Sequence, residues 1–254
     1  MRKHLIWILA LAVGLCAAGV AYATDSTGSD FSALKQGVSP SKQSSSKFGK
    51  ASLAVETSTL DNANPGTPTS PGTTPVPTTN VKLTFDKQLK FTTKGLPQCK
   101  VSLEQTTTQS ALQLCKSSKV GGGSATACLG KSGLPCTSKI SFLVTAFNGK
   151  PKGGKPTIIL HSRNDQFQLT TVLTGTLDPK KNTLNVPIPA SVYSIATITD
   201  FKTTVGKAYK AKGKKYNYVG AKCSKGKYTL KGTFSYVGGD PADKVSTTTP
   251  CKTK

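Results

Sequence analysis

The feature that most constrains the fold of this chain is its set of cysteines. Of seven cysteines, Cys16 falls in an apolar N-terminal run and six lie downstream. Zinc sites need close pairs such as C-x-x-C, which the chain lacks, and a catalytic thiol would leave an unpaired cysteine behind. An even number of cysteines behind a secretory leader indicates a disulfide framework. The six are Cys99, Cys115, Cys128, Cys136, Cys223 and Cys251.

Proximity along the chain favours three disulfide pairs, although six cysteines permit other pairings. The favoured pairs are Cys99 with Cys115, Cys128 with Cys136, and Cys223 with Cys251. In the first loop, Ser102 and Gln105 have the spacing of a capping box, in which two side chains satisfy free amides at a helix start. We therefore predict a short helix over residues 103–113, clamped by the first pair.

Residues 1–23 have the pattern of a signal peptide. Arg2 and Lys3 precede an apolar run over residues 5–20, and Ala21 and Ala23 fit the narrow pocket of the peptidase. We expect cleavage after Ala23 and a secreted or cell-wall-associated protein. An uncleaved anchor is the alternative, which the run disfavours because it is shorter than the ~20 residues of a comfortable span. The rest of the sequence shows no second apolar span, so none is expected across a membrane after cleavage.

Composition divides the remainder in two. Residues 24–80 are rich in Ser, Thr and Pro, and are predicted to be a disordered linker because they offer few large apolar side chains to bury. Residues 81–254 are predicted to be one disulfide-stabilised domain. It contains short runs of alternating polarity, rich in β-branched and aromatic residues and separated by turn residues. These runs lie at 81–85, 139–147, 156–161, 167–177, 183–188, 194–206, 216–221 and 227–237.

Eight such strands with one helical stretch indicate an all-β fold. The expected architecture is a single antiparallel β-sandwich, immunoglobulin-like in general arrangement, with one short disulfide-clamped helix. GGGS at residues 121–124 lacks the G-K-[ST] of a phosphate-binding loop and is interpreted as a turn between that helix and Cys128.

Several sequence motifs occur in a fairly specific order over residues 81–254. They are LPQCK, LCKSSKVGGGSATA, VTAFNG, ITDFKTTVG, CSKGKYTLKGTFSYVGG and a terminal PC. In this order the chain resembles secreted actinobacterial proteins of unknown function. The resemblance implies a β-rich domain in which the pairs Cys99 with Cys115 and Cys223 with Cys251 recur, and it implies no activity.

Positive charge is the most unusual property of the chain. After residue 23 it has 32 basic and 11 acidic residues, and the predicted linker contributes four of each. The excess peaks in KAYKAKGKKYNY, where five lysines alternate with Tyr209, Tyr216 and Tyr218. We predict that this segment contacts an anionic cell-envelope polymer or another surface protein. The lysines are Lys207, Lys210, Lys212, Lys214 and Lys215.

Nucleic acid is a weaker candidate for the partner. Arginine is the residue that most often reads guanine, and Arg163 is the one arginine after residue 23. Sequence-specific recognition is therefore disfavoured, whereas lysine and tyrosine together could hold single strands by charge and stacking.

Enzyme chemistry receives little support from the sequence. His161 is the one histidine after residue 23, and a serine triad would need it to pair with an acid such as Asp165. Glu104 is the one glutamate of the predicted domain, which disfavours a paired-carboxylate glycosidase. No catalytic residue, metal ligand or cofactor is predicted. The expected function is a non-enzymatic interaction domain, and a hydrolase with an unfamiliar site is the alternative.

Overall fold

The computed structural model describes residues 21–22, 30–61, 66–67, 69–239 and 242–254, and the fold is defined over these residues. They form 18 strands and two short α-helices. The helices are α1 (Thr108–Cys115) and α2 (Ala190–Tyr193). The strands are β1 (Ala21–Tyr22), β2 (Asp30–Ser39), β3 (Lys42–Gln43), β4 (Gly49–Asp61), β5 (Thr78–Phe85), β6 (Leu89–Phe91), β7 (Lys119–Leu129), β8 (Ser138–Lys152), β9 (Lys155–Asn164), β10 (Leu169–Asp178), β11 (Thr183–Pro187), β12 (Ala196–Val205), β13 (Ala208–Ala211), β14 (Lys214–Asn217), β15 (Val219–Ala221), β16 (Lys227–Tyr236), β17 (Asp243–Pro250) and β18 (Lys252–Thr253).

One antiparallel sheet contains 14 of these strands. Its main path is β1-β2-β4-β12-β7-β8-β9-β10-β11-β5-β16-β17, and β15 joins β4 to β6 beside that path. The sheet folds over on itself, so that β17, at one end of the path, packs beside β2 near the other end. Thr249 Oγ1 in β17 donates to the carbonyl of Gln36 in β2 at 2.7 Å. The two layers of the fold therefore belong to one continuous sheet around a shared core.

The predicted all-β antiparallel class is confirmed. Each of the eight predicted strands corresponds to an observed one: β5, β8 to β12, β14 with β15, and β16. The predicted leader lies outside the described residues, except that Ala21–Tyr22 pair with β2. Within the described residues, no helix is both long and apolar enough to cross a membrane.

The linker prediction does not hold for β2 and β4, which run through the middle of it. These strands pair with each other along their length, and β4 pairs with β12 on its other edge. Partners satisfy the hydroxyl groups of Ser and Thr that these strands bury, as where Thr59 Oγ1 lies 3.2 Å from Thr78 Oγ1. Residues 24–29, 62–65 and 68 of the predicted linker lie outside the described residues.

All three favoured disulfides are present. The helix in the first loop begins later than predicted, and the capping box is wrong. Gln105 lies outside α1 with φ 63°, whereas Thr107 caps the helix by accepting from the Ser110 amide at 3.1 Å. The helix covers a small apolar cluster on the outer face of the sheet, made by Cys99, Leu103, Ala111, Cys115 and Phe147.

The glycine run at residues 121–123 belongs to β7 and is not a turn. A Cβ atom at Gly121 or Gly123 would collide with the backbone of Thr204 or Lys202 in β12. Glycine is needed here because the backbone of β12 leaves no room for a side chain.

Candidate anionic-polymer interface

The predicted contact segment is a β-hairpin formed by β13 and β14. Its two turn residues, Lys212 and Gly213, have φ of 49° and 74°, the positive values that a tight primed turn requires. Tyr209 stands opposite Tyr216, and Lys210 stands opposite Lys215. Since side chains alternate along a strand, the tyrosine pair and this lysine pair lie on opposite faces of the hairpin.

The tyrosine face anchors the hairpin to the rest of the domain. The rings of Tyr209 and Tyr216 stack with centroids 5.6 Å apart. The Tyr209 hydroxyl donates to the carbonyls of Thr92 and Lys94 at 3.1 and 3.0 Å. Tyr218, just beyond the hairpin, is in the core, where burial raises its pKa. These rings are therefore engaged within the domain, and Tyr218 is closed to a stacking ligand.

Four of the five predicted lysines are free to contact a ligand. Lys210, Lys212, Lys214 and Lys215 are exposed. Lys207 differs, because its ammonium group donates to the carbonyl of Ser117 and burial lowers its pKa. Lys207 is therefore less available to a ligand than the other four lysines.

The structure adds lysines that sequence reasoning missed. Residues 41–50, 86–95, 206–227 and 250–254 meet at one end of the sheet, and together they contain 16 lysines and one acidic residue. We name this surface the lysine-rich end. Its lysines are Lys42, Lys47, Lys50, Lys87, Lys90, Lys94, Lys207, Lys210, Lys212, Lys214, Lys215, Lys222, Lys225, Lys227, Lys252 and Lys254. Apart from the half-buried Lys207 and Lys222, all of them are exposed.

Backbone pairing brings these four segments together. β15 pairs with the start of β4 on one edge and with β6 on the other. β18 pairs with β3, and the amide of Cys223 donates to the carbonyl of Ser44 at 2.8 Å. The disulfide between Cys223 and Cys251 then ties the third segment to the fourth.

The Gln88 side chain holds the turn at residues 224–227 in place through hydrogen bonds to its backbone. Its side-chain nitrogen donates to the carbonyl of Lys227 at 2.8 Å. Its side-chain oxygen accepts from the amides of Ser224 and Lys225 at 2.6 and 3.0 Å. Because Gln88 is buried, its side chain has little freedom to move, and its hydrogen bonds fix the conformation of this turn.

Described acidic residues do not neutralise the positive charge of this end. None of the 16 lysines forms an ion pair with another described residue. Asp86, the one acid, accepts instead from the amides of Gln88 and Thr229 at 2.9 and 3.1 Å. Two pairs of lysines even stand directly opposite each other in neighbouring strands, Lys210 with Lys215 and Lys42 with Lys252. Like charges in such positions repel each other and destabilise a sheet, so concentrating charge at this end lowers the stability of the fold.

An aromatic ring lies between two of these lysines. Phe48 is 41% exposed. The ammonium groups of Lys90 and Lys222 lie 5.8 and 5.3 Å from the centroid of its ring. Each distance is within the range of a cation–π contact, so the ring holds two cationic side chains at the surface.

Several acidic side chains lie away from the lysine-rich end. β4 starts there at Gly49 and finishes at Asp61, and β17 runs from Asp243 toward that end. Midway along β4, Glu56 accepts from Lys35 and Lys202 at 2.8 and 3.1 Å. These acidic groups therefore do not offset the charge of the lysine-rich end.

The residues considered for catalysis are not assembled into a site. His161 is fully buried beneath the α1 loop, and its Nε2 lies 3.0 Å from Thr106 Oγ1. Asp165 is bound instead to Arg163 at 2.9 Å. Arg163 is itself buried and also donates to the Gln168 carbonyl, so this arginine does not face a ligand. No cluster of metal-ligating side chains occurs in the described ranges.

No protein-family model matches the chain, and neither a curated protein nor a solved structure matches it. The resemblance to secreted actinobacterial proteins therefore stays a prediction. Three disulfides indicate that the domain matures in an oxidising environment.

Proposed function

We propose that the protein is a secreted, non-enzymatic domain that attaches electrostatically to an anionic polymer of the cell envelope. The observation that supports this most is the lysine-rich end, where 16 lysines from four segments accompany a single acid. Uncompensated charge on a stable scaffold attracts polyanions and speeds encounter with them.

Lysine without arginine favours a polymer recognised by its charge. Arginine provides a planar fork that reads one phosphate or base geometry, whereas lysine is a hydrated point charge on a flexible stem. The lysine-rich end contains no arginine. Its binding should therefore be salt-sensitive and tolerant of polymer sequence, as expected for phosphate-rich wall polymers or anionic lipid headgroups.

Binding to isolated bacterial envelopes and to inorganic polyphosphate, at low and high salt, tests this proposal. The test variant replaces Lys210, Lys212, Lys214 and Lys215 with Gln and keeps the tethered Lys207. A matched control replaces four exposed lysines outside the lysine-rich end, and so removes the same net charge. These control residues are Lys82, Lys131, Lys139 and Lys244.

The proposal expects strong binding by the unaltered chain at low salt, a clear loss in the hairpin variant and a smaller loss in the control. If each phosphate contact displaces about 0.7 counterions, as on a single strand, four lost contacts lower the salt slope by about 3. Equal losses of binding in the two variants would show that binding depends only on the net charge of the domain. Salt-independent binding would instead favour a protein partner that is recognised by shape.

A further inference from the structure

A second feature of the molecule, independent of its charge, is an unfilled space inside the folded sheet. An inner compartment of about 120 Å³ lies between the two layers. Apolar side chains from both layers line it, among them Leu53, Phe85, Leu160, Val186, Phe201 and Phe234. Protein cores are close-packed and contain few voids larger than a water molecule, so a space of this size in a core calls for an explanation.

A second, outer compartment of about 290 Å³ lies next to the inner one, beside α2. Leu173, Ile198 and Phe201 line both, so the two share a wall. Ala125 and Ala127 of β7 face the outer compartment, and their small side chains leave its width open. The combined space falls within the range of ~300–1,000 Å³ that small-molecule sites occupy.

The outer compartment reaches the surface next to α2. Ile195 and Leu169 line it and are 64% and 39% exposed. Apolar side chains of this size at the rim of an apolar space mark an opening that an apolar group can enter. Water gains little inside, because an apolar cavity of ~150 Å³ stays dry and accepts hydrocarbon instead.

The polar groups around the outer compartment restrict the head group of a ligand. Among the described residues, Glu104 is its one charged lining residue, so a second carboxylate there would be repelled. Ser162, 4% exposed, also lines it, and its hydroxyl has no hydrogen-bond partner among the described residues. Buried hydroxyl groups usually have a partner, and the head group of a ligand could provide one.

We propose that the folded sheet binds a single hydrocarbon chain whose hydrogen-bonding head group carries no negative charge. The chain enters beside α2, its tail fills the inner compartment, and its head lies near Glu104 and Ser162. This site is separate from the lysine-rich end, and the two proposals can fail independently.

Fluorescence titration of the full chain with the uncharged dye N-phenylnaphthylamine tests this site, because such a dye has no attraction to lysines. We expect enhanced fluorescence at one dye per chain, little dependence on salt, and displacement by dodecanol in preference to dodecanoate. Leu173→Phe fills the junction of the compartments and should abolish the enhancement. Ala127→Leu, which narrows the outer compartment, provides a second variant if Leu173→Phe does not fold.

The matched control is Leu143→Phe, an equal change on a side chain that is 56% exposed and lines neither compartment. It should leave dye binding unchanged. The proposal is overturned if the unaltered chain does not enhance the dye, or if Leu143→Phe weakens binding as much as Leu173→Phe. Equal displacement by dodecanoate and dodecanol would overturn the assignment of a head group without negative charge.

Discussion

The disulfide between Cys223 and Cys251 should contribute the largest entropic stabilisation of the three. It closes a loop with a sequence separation of 28, against 8 for Cys128 and Cys136. The chain-entropy model then gives about 3.6 kcal/mol for the longer loop and about 2.5 kcal/mol for the shorter. Replacing Cys223 and Cys251 with Ala should therefore lower the free energy of unfolding by at least 3.6 kcal/mol.

Packing should add to this loss, because both sulfur-bearing side chains belong to the main core. By contrast, the loop between Cys128 and Cys136 is largely exposed, which makes the Ala variant of that pair a suitable control. Urea unfolding followed by circular dichroism measures both. With a denaturant slope of about 3 kcal/mol/M, the first variant should unfold at a urea concentration more than 1 M lower. An equal or larger shift in the control variant would refute the reasoning from loop length.

Three further predictions concern buried polar groups. Burial, with the nearby Glu56 charge, raises the pKa of Asp200, so its ionised form destabilises the fold. Asp200→Asn should therefore raise the melting temperature at pH 7; this gain should shrink as pH falls below the raised pKa and vanish below the ordinary value of 3.8. Burial lowers the pKa of His161, so stability should fall as pH drops below the ordinary value of 6.5, and His161→Gln should flatten that part of a pH–stability curve. Gln88→Ala leaves the Ser224 and Lys225 amides without their acceptor and should lower the free energy of unfolding, measured in urea, by about 2 kcal/mol. A change near zero would show that water replaces the Gln88 oxygen as the acceptor.

Sequence reasoning succeeded where local pattern and burial agree. The alternation of β5 and the aromatic residues of β16 lie in strands with one face in the core, and both strands were predicted. β4 was missed in part because it buries Ser58 and Thr59, whose burial depends on partners in β12 and β5. Only long-range strand pairing provides those partners, and the local sequence of β4 does not predict that pairing.

The candidate site shows the same division between local and long-range information. The hairpin lysines are adjacent in sequence and could be predicted as a group. Lys42, Lys47 and Lys50 were assigned to a linker with no net charge, whereas pairing of β3 with β18 and of β4 with β15 places them at the lysine-rich end. Charge counted along a chain therefore underestimated the charge that the fold gathers at one place.

The two proposed sites lie at opposite ends of the same strands. β12 begins beside α2, at the mouth of the outer compartment, and ends at Val205, where the segment leading to the hairpin starts. A domain held on a polymer by its lysine-rich end would thus leave the mouth facing away from that polymer. Occupancy of one site should not change affinity at the other, because saturating polyphosphate neither covers the mouth nor alters its one charged residue, Glu104. A dye affinity that shifts when polyphosphate is added would show that the sheet transmits strain between its ends, and that the two functions are coupled.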